Sequence, residues 1–337
     1  MRPRLLDLGP NALTEHLDGP GRSREVFRSL AAGRDPFHDP HLAAGLRRRL
    51  RDCVDPLTLP NRNTRRAEDG TTKLLLELPD GRAVETVLIP EKTRTTLCVS
   101  SQVGCVRGCG FCLTATMGLV RNLDVGEIMS QVHAGLAHAA ALELPPLRNL
   151  VFMGMGEPLD NWTHVRAAID ILVDGRGFGF GPRHVTVSSV GPSPRAILRL
   201  EGCPTRLAWS LHAAREDVRR GLVASQRHTV QALRDAFVEI YSARKDPLFV
   251  EMTLMAGVND QPEDAEAAIA LFGAFPNEVR FNLLPMNPTD RGFRPSPPAA
   301  VESFLERLRG AGHFALTRTP RGQDASAACG QLAVITG

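Results

Sequence analysis

The chain has 337 residues, of which 43% are hydrophobic and 23% charged, and its formal net charge is +3. This composition is ordinary for a globular protein and excludes a disordered, collagenous or small disulfide-stapled chain. No run approaches the roughly 18 apolar residues of a membrane span, and Asp7, Glu15 and Asp18 stand where a signal peptide needs an apolar core, so we expect a cytoplasmic protein without a membrane partner.

Residues 1–90 are predicted to form a small N-terminal accessory domain with helices and a β-hairpin. Residues 1–70 read as short helices, and two alternating runs, Lys73–Leu78 and Ala83–Ile89, flank a turn at residues 80–81. The densest basic run contains Arg47, Arg48, Arg49 and Arg51. Such a run either contacts phosphate or forms a solvated helix face.

Residues 91–337 alternate short β-rich runs with amphipathic helical stretches. The predicted strands are Thr95–Val99, Asn149–Met153, His184–Ser188, Arg206–Ser210, Phe249–Leu254, Arg280–Leu284 and Ala315–Arg318. The predicted helices are Val125–Leu142, Trp162–Val173, Pro194–Leu200, Val230–Ser242, Glu263–Phe272 and Ala299–Ala311. Asp124, with Glu127 three residues later, is a capping signal for the first of these helices.

This alternation indicates an α/β fold built on a parallel sheet. About six β/α repeats favour a full or partial (β/α) barrel, and a doubly wound sheet is the competing topology. In either fold, ligands bind in the loops after the carboxyl ends of the strands.

Three of the seven cysteines lie within eight positions, as Cys105-x3-Cys109-x2-Cys112, just after the first predicted core strand. Interleaved glycines allow the backbone to turn three thiolates toward one point. Structural zinc needs four ligands, and the nearest downstream histidine is His133. The spacing therefore favours a [4Fe–4S] cluster with one open iron, and the alternatives are zinc or three unrelated buried cysteines.

Further motifs surround these cysteines. They read SSQVGC at 100–105, RNL at 121–123, MGMGEPL at 153–159, SLHA at 210–213 and AACGQL at 327–332. With the aromatic Phe111 inside the cysteine motif, this set resembles the RlmN/Cfr family of radical S-adenosylmethionine (SAM) RNA adenine methyltransferases, from about residue 85 to residue 332. The resemblance implies a radical SAM partial barrel carrying a [4Fe–4S] cluster and SAM. It also implies methylation of adenine C2 in 23S rRNA, with tRNA as a further candidate.

The family resemblance also implies catalytic roles. Cys329 matches the cysteine that carries the methyl group and forms a transient adduct with RNA, and Cys98 matches the thiol that resolves the adduct through a disulfide. Glu85 matches the proton acceptor, although its place in an alternating strand is equally compatible with the polar face of a hairpin.

The positions that match family contacts to SAM follow the strand-end rule. They are Gly156, Glu157, Ser188, Ser210, Leu211, His212 and Asn287. Read alone, any one of these polar residues is more often a satisfied loop residue than a ligand. Their repetition at successive strand ends predicts one shared pocket.

The chain departs from the family pattern after Ser188, after His212, at residues 222–227 and at residues 321–324. These departures leave open a changed RNA target or ring position, such as C8 of adenine. Two further alternatives are a radical SAM enzyme that acts on a small molecule or peptide, and an RNA-binding module without turnover. The resemblance implies an RNA substrate, and we expect an electron donor such as flavodoxin with its reductase. Separately from the resemblance, we expect the N-terminal region to help hold the RNA. We expect a monomer.

Overall fold

The computed structural model describes residues 2–56, 59–287 and 289–334. The strands in chain order are β1 (Asn61–Arg66), β2 (Thr72–Glu77), β3 (Ala83–Pro90), β4 (Thr95–Cys98), β5 (Gln102–Gly104), β6 (Leu119–Asn122), β7 (Leu147–Phe152), β8 (Val185–Ser189), β9 (Arg206–Ser210), β10 (Leu248–Leu254), β11 (Val279–Pro285) and β12 (Phe314–Thr317). The helices are α1 (Pro10–Leu17), α2 (Pro20–Ala31), α3 (Ala44–Cys53), α4 (Val125–Ala141), α5 (Trp162–Val173), α6 (Pro194–Leu198), α7 (Glu216–Leu222), α8 (Val230–Tyr241), α9 (Pro262–Phe272) and α10 (Pro298–Gly310).

Seven strands form the parallel part of one sheet, in the order β4-β7-β8-β9-β10-β11-β12. The spatial order follows the chain order without reversal, whereas a doubly wound sheet reverses at a switch point. Over the described ranges β1 and β12 form the two edges, so the sheet stays open. The prediction of a partial (β/α) barrel is therefore confirmed.

The predicted hairpin extends this sheet. β1, β2, β3 and β4 pair antiparallel with one another in sequence order, so main-chain hydrogen bonds cross the predicted boundary between residues 90 and 91. Helices α1, α2 and α3 precede the hairpin and bury Leu13, Leu17 and Leu50 completely. The division of the chain into two domains stays a prediction.

Local sequence signals account for most of the core elements. Every predicted core strand and helix is present, with its ends within two residues of the predicted ones. The capping signal is confirmed, because Asp124 Oδ1 accepts from Glu127 N at 2.9 Å and Glu127 Oε2 accepts from Asp124 N at 3.0 Å. Sequence reasoning missed β1, the short β5–β6 hairpin and α7.

The core of the barrel contains an aromatic cluster behind the strand ends. Trp209 in β9 is fully buried, with ring centroids 5.1 Å from Phe237 and 5.9 Å from Phe272. Such packing makes the strand ends a rigid platform for side chains at the carboxyl edge. None of the helices in the part of the chain described above has the length and apolar character to cross a bilayer.

Candidate active site

One cavity at the carboxyl ends of the parallel strands gathers most of the predicted site residues. Its walls include Cys105, Cys109, Cys112, Gly156, Glu157, Ser188, Ser210, His212, Asn287 and Cys329. They come from five separate loops or strand ends and from the C-terminal segment, which is the arrangement the strand-end rule predicts. Leu211, Cys98 and Glu85 do not line this cavity.

The three clustered cysteines lie in the loop between β5 and β6. Cys105 follows β5 directly, and its N–H donates to Gly118 O at 2.9 Å, which closes the base of the loop. Gly104 has φ +77° and lies so close to the Gly118 carbonyl that a Cβ would stand 1.8 Å from its oxygen. Only glycine fits there, so the backbone brings Cys105 to the cavity through a conformation other residues disfavour.

The chemistry of these thiols fits an iron–sulfur cluster. Burial raises the pKa of Cys105 to about 12, and burial together with negative charge on Cys112 and Cys105 raises the pKa of Cys109. Three converging thiolates therefore need a positive partner, which cluster irons supply. Across the described residues no three His, Cys, Asp or Glu side chains are grouped as one metal ion would require, whereas a four-iron cluster binds each thiolate on a different iron.

The loop after β7 brings main chain close to the cavity. A Cβ on Gly154 would stand 2.7 Å from Val99 O, and one on Gly156, at φ +99°, would stand 2.6 Å from Gln102 Cβ. Glu157 follows and is 3% exposed, and its two carboxylate oxygens accept from Leu159 N and Val190 N at 3.0 Å each. Burial raises the pKa of Glu157 to about 7.

Two serines at neighbouring strand ends are hydrogen-bonded to each other in the cavity wall. Ser188 in β8 and Ser210 in β9 have hydroxyl oxygens 2.9 Å apart. Each hydroxyl keeps further hydrogen-bonding capacity for a polar ligand. Leu211 is fully buried, its N–H donates to Trp209 O and its carbonyl accepts from Ala213 N, so its contact with a ligand stays a prediction of the family resemblance.

His212 is held in an uncommon backbone conformation with φ +58°. Its carbonyl accepts from Asn259 Nδ2 at 2.6 Å, and its Nδ1 accepts from Thr253 N at 3.2 Å. Burial lowers the pKa of His212 to about 3, so the ring is neutral and carries its proton on Nε2. The Phe111 ring packs edge-on against it, with centroids 4.7 Å apart.

Cys329 belongs to an irregular segment, residues 319–334, which we call the C-terminal strap. Its carbonyl accepts from Asn287 Nδ2 at 2.9 Å, and Gln323 Nε2 donates to Asn287 Oδ1 at 2.8 Å. On the other side, Leu113 N, next to the clustered cysteines, donates to Gly330 O at 2.8 Å. The Cys329 side chain presents its accessible surface to the cavity, and burial raises the pKa of its thiol to about 11.

Cys98 and Glu85 lie behind the cavity wall. Cys98 in β4 is 8% exposed, and burial followed by negative charge on Cys329 raises the pKa of its thiol. All seven cysteines are free thiols in this structure. Glu85 in β3 is 4% exposed, so it does not occupy a solvated face of the hairpin.

Sequence reasoning missed several polar residues around the cavity. Glu251 in β10 lines it, with Oε1 accepting from Asn282 Nδ2 at 2.6 Å. Arg107 pairs with Asp160 at 2.7 Å beside the clustered cysteines. Arg219 in α7 is 1% exposed and donates to Ser210 O at 3.2 Å. No local motif marks these residues, because each acquires its role from partners that are distant in sequence.

The chain is similar to known radical SAM proteins and RNA methyltransferases. The radical SAM superfamily model matches residues 99–269. A probable RNA methyltransferase from Sorangium cellulosum is 45% identical over 79% of this chain and 67% of its own length. The dual-specificity RNA methyltransferase RlmN from Anaeromyxobacter dehalogenans is 41% identical over 94% of this chain and 87% of its own. A crystal structure of a radical SAM methyltransferase from Sphaerobacter thermophilus is similar with a TM-score of 0.88 and 37% identity, covering 98% of this chain and 99% of that one.

Proposed function

Because this chain belongs to the RlmN/Cfr family of radical SAM RNA adenine methyltransferases, we propose that it methylates C2 of an adenine in 23S rRNA, with tRNA as a further candidate substrate. One observation carries the proposal. The Cys329 thiol faces the same cavity as the three clustered cysteines and the polar strand ends. A methyl-carrying sulfur must reach both the cofactors and the base, and this placement meets that requirement.

The family uses a [4Fe–4S] cluster and SAM, which supply a 5′-deoxyadenosyl radical when bound. In our assignment Cys105, Cys109 and Cys112 hold the cluster. Glu157 accepts hydrogen bonds from the SAM amino group, since its buried carboxylate lines the cavity. The main chain of Gly156 and Leu211 and the side chains of Ser188, Ser210, His212 and Asn287 supply the remaining polar contacts.

The chain's own residues then act in sequence. Cys329 accepts a methyl group from SAM, and after hydrogen abstraction the methyl carbon bonds to the adenine. The ring carbon loses its proton to Glu85 and the ring radical loses one electron to the redox partner, and these two losses together restore aromaticity. Cys98 attacks the Cys329 sulfur, so that an S–S bond forms as the carbon–sulfur bond breaks, and the carbon keeps the electron pair and takes up a proton to become the methyl group. The resulting disulfide is a transient state, and the free thiols are the state before turnover.

We assign RNA binding to residues 1–90. In α3, Arg47 donates to Asp39 O and Leu42 O, Arg51 donates to Phe37 O, and Arg49 pairs with Asp18, so most of the basic run has structural partners. β1 differs, because all six of its residues are exposed at the sheet edge. The main chains of Arg65 and Arg66 pair with β2, but within the described ranges their side chains have no hydrogen-bond or ion-pair partner, which favours them as phosphate contacts.

The remaining assignments follow from the chemistry. Reductive cleavage of SAM requires one electron, and reduction of the Cys98–Cys329 disulfide to free thiols requires two more. The protein therefore needs an electron donor, and a flavodoxin with its reductase suits this task. RNA substrates place the enzyme in the cytoplasm, and we assign it as a monomer. Reduction assays with purified flavodoxin, and light scattering of the reconstituted protein, test the donor and the oligomeric state.

The decisive experiment is anaerobic turnover of the iron-reconstituted protein with methyl-labelled SAM and unmodified 23S rRNA. Nuclease digestion and mass spectrometry should reveal 2-methyladenosine, which Cys329→Ala should abolish. Formation of 8-methyladenosine would instead assign the C8 reaction. SAM cleavage without methylated adenosine would indicate another substrate, such as a small molecule or a peptide. Absence of SAM cleavage by a protein with an intact cluster would leave RNA binding alone.

A further inference from the structure

A buried ion pair lies between the second and third strands of the hairpin. Lys73 Nζ is 2.8 Å from Glu85 Oε1, and the two side chains are 8% and 6% exposed. Lys73 faces Val87 and Glu85 faces Leu75 in the β2–β3 register, so the pair is a diagonal contact on one face of the sheet. The other Glu85 oxygen, Oε2, accepts from Ala333 N at 3.0 Å.

The same lysine reaches the segment that carries Cys329. Lys73 Nζ also donates to Ser326 O at 2.9 Å, three residues before Cys329. Lys73 thus contacts Glu85 on one side and the C-terminal strap on the other. The strap in turn contacts Glu85 through Ala333, four residues after Cys329. The proton acceptor and the methyl carrier are therefore joined by a small polar network centred on one ammonium group.

The use of lysine here is unusual for this chain. It contains only three lysines, Lys73, Lys92 and Lys245, against 37 arginines. Lys92 and Lys245 are exposed, so Lys73 is the only lysine buried within the structure's described ranges. An ammonium is a compact point charge that fits between a carboxylate and a carbonyl, whereas a planar guanidinium needs more room.

We propose that Lys73 is a positioning residue that keeps Glu85 ionised and correctly placed against the Cys329 segment for the proton-transfer step. The inference rests on the proposed function, because it assigns a partner to the acceptor in that reaction. Lys73 itself does not receive the proton. The C2–H bond breaks, the proton passes to a Glu85 oxygen, and Lys73 stays charged and bonded to Ser326 O.

The electrostatics give the direction of the effect. Burial raises the pKa of Glu85, and the hydrogen bond and charge of Lys73 oppose that rise. The other charged group acting on Glu85 is Arg65 from β1, which is exposed and therefore screened by solvent. Loss of the Lys73 charge should thus raise the pKa of Glu85 further. The acceptor would then be protonated up to a higher pH, and the acid limb of the rate profile would move upward.

The test is a single-turnover RNA methylation assay between pH 6 and pH 9. Each protein is reconstituted with its cluster, and peptide mass spectrometry measures the fraction methylated at Cys329, so rates refer to methylated enzyme. For Lys73→Gln we expect the acid limb to move up by about one pH unit, so that the rate falls up to about tenfold at the acid end of the range and recovers at high pH. Lys73→Arg, which retains the charge, should lie between wild type and Lys73→Gln. The exposed Lys92→Gln is the matched control and should follow wild type.

A double-mutant cycle separates this role from a general structural one. If Lys73 acts through Glu85, Lys73→Gln should change the rate of a Glu85→Gln protein less than twofold. An equal effect in both backgrounds, or a Lys73→Gln profile that superposes on wild type after scaling, would overturn the proposal. If the Lys73→Gln protein does not fold, two other variants decide the question. These are the double variant Lys73→Gln with Glu85→Gln, which carries neither charge, and Lys73→Arg, whose rate is measured against pH. Wild type that forms no methylated adenosine would instead refute the proposed function.

Discussion

The turn that delivers Cys105 to the cavity offers a quantitative test of the site. Gly104 has φ +77°, and a Cβ added there would stand 1.8 Å from Gly118 O. The same oxygen accepts the Cys105 N–H at 2.9 Å. Gly104→Ala therefore places an L side chain in a left-handed conformation and forces the Gly118 carbonyl away from Cys105.

These two effects have separate magnitudes. The left-handed conformation costs a non-glycine residue about 1–2 kcal/mol. Displacing the carbonyl breaks the hydrogen bond to Cys105, and because Gly118 is exposed and solvent can replace that bond, the loss adds about 0.5–1.5 kcal/mol. The free energy of unfolding should thus fall by about 1.5–3.5 kcal/mol in total. Gly81→Ala is the matched control, because Gly81 has φ +80° with nothing within 4 Å of the added Cβ.

Urea unfolding of the apoproteins, followed by circular dichroism, measures the free energies, and iron analysis after reconstitution measures cluster occupancy. The free energy of unfolding of Gly81→Ala should fall only by the about 1–2 kcal/mol that the left-handed conformation costs, and this variant should bind as much iron as wild type. Gly104→Ala should lose more stability and bind less iron per chain. Equal stability and equal iron content in the two variants would refute the assignment of this turn as the support for the cluster loop.

Three further predictions address RNA, the pocket wall and SAM. Replacing both Arg65 and Arg66 by Gln should weaken RNA binding. It should also reduce the slope of log affinity against log salt concentration by about 1.5–2, which titrations at several salt concentrations measure. Asn259 is fully buried. Its Nδ2 donates to the carbonyls of His212 and Thr253, and its Oδ1 accepts from Met255 N. Asn259→Ala should lower the free energy of unfolding by about 3 kcal/mol in urea denaturation and weaken SAM binding. Glu157→Gln should raise the SAM dissociation constant roughly 10- to 100-fold in calorimetry, since a charge-assisted hydrogen bond is lost.

Each of these predictions has a control in the chain. Exposed Arg183 precedes β8 at the opposite end of the barrel, so Arg183→Gln should leave the salt slope unchanged. Asn277 also donates to two carbonyls, at 2.8 and 3.3 Å, but away from His212, so Asn277→Ala should keep SAM affinity. A salt slope unaffected by loss of Arg65 and Arg66 would remove β1 from the RNA surface. SAM affinity retained in Glu157→Gln would show that this carboxylate does not bind the amino group.

Sequence periodicity identified the barrel well because its signals are local. Parallel strands buried on both faces read as short apolar runs, and β9 was predicted with its observed ends, Arg206–Ser210. β1 shows the opposite case. Its sequence, NRNTRR, has no apolar alternation, and it forms a strand because β2 offers a free edge for pairing. Its backbone state is decided by a neighbour and not by its own side chains.

The cysteine spacing and the glycines beside it predict, within one short stretch, three thiols in one loop, and all three line the cavity. The strand-end rule likewise brings Ser188 and Ser210 together, because parallel neighbours end at the same edge of the sheet. The environment of Glu85 could not be predicted from the sequence of its own strand, β3. Whether that carboxylate lies in water or in a buried ion pair depends on Lys73 and on Ala333, which is 248 residues away.

The sequence by itself thus determined the α/β alternation, the cluster motif and the set of strand-end residues, since turn chemistry and side-chain period act over a few residues. The tertiary structure alone decided which basic side chains are free, how the C-terminal strap covers the cavity, and that Lys73 partners the predicted proton acceptor. Those outcomes depend on burial and on contacts between distant segments. Desolvation and charge pairing arise only after the chain has folded back on itself.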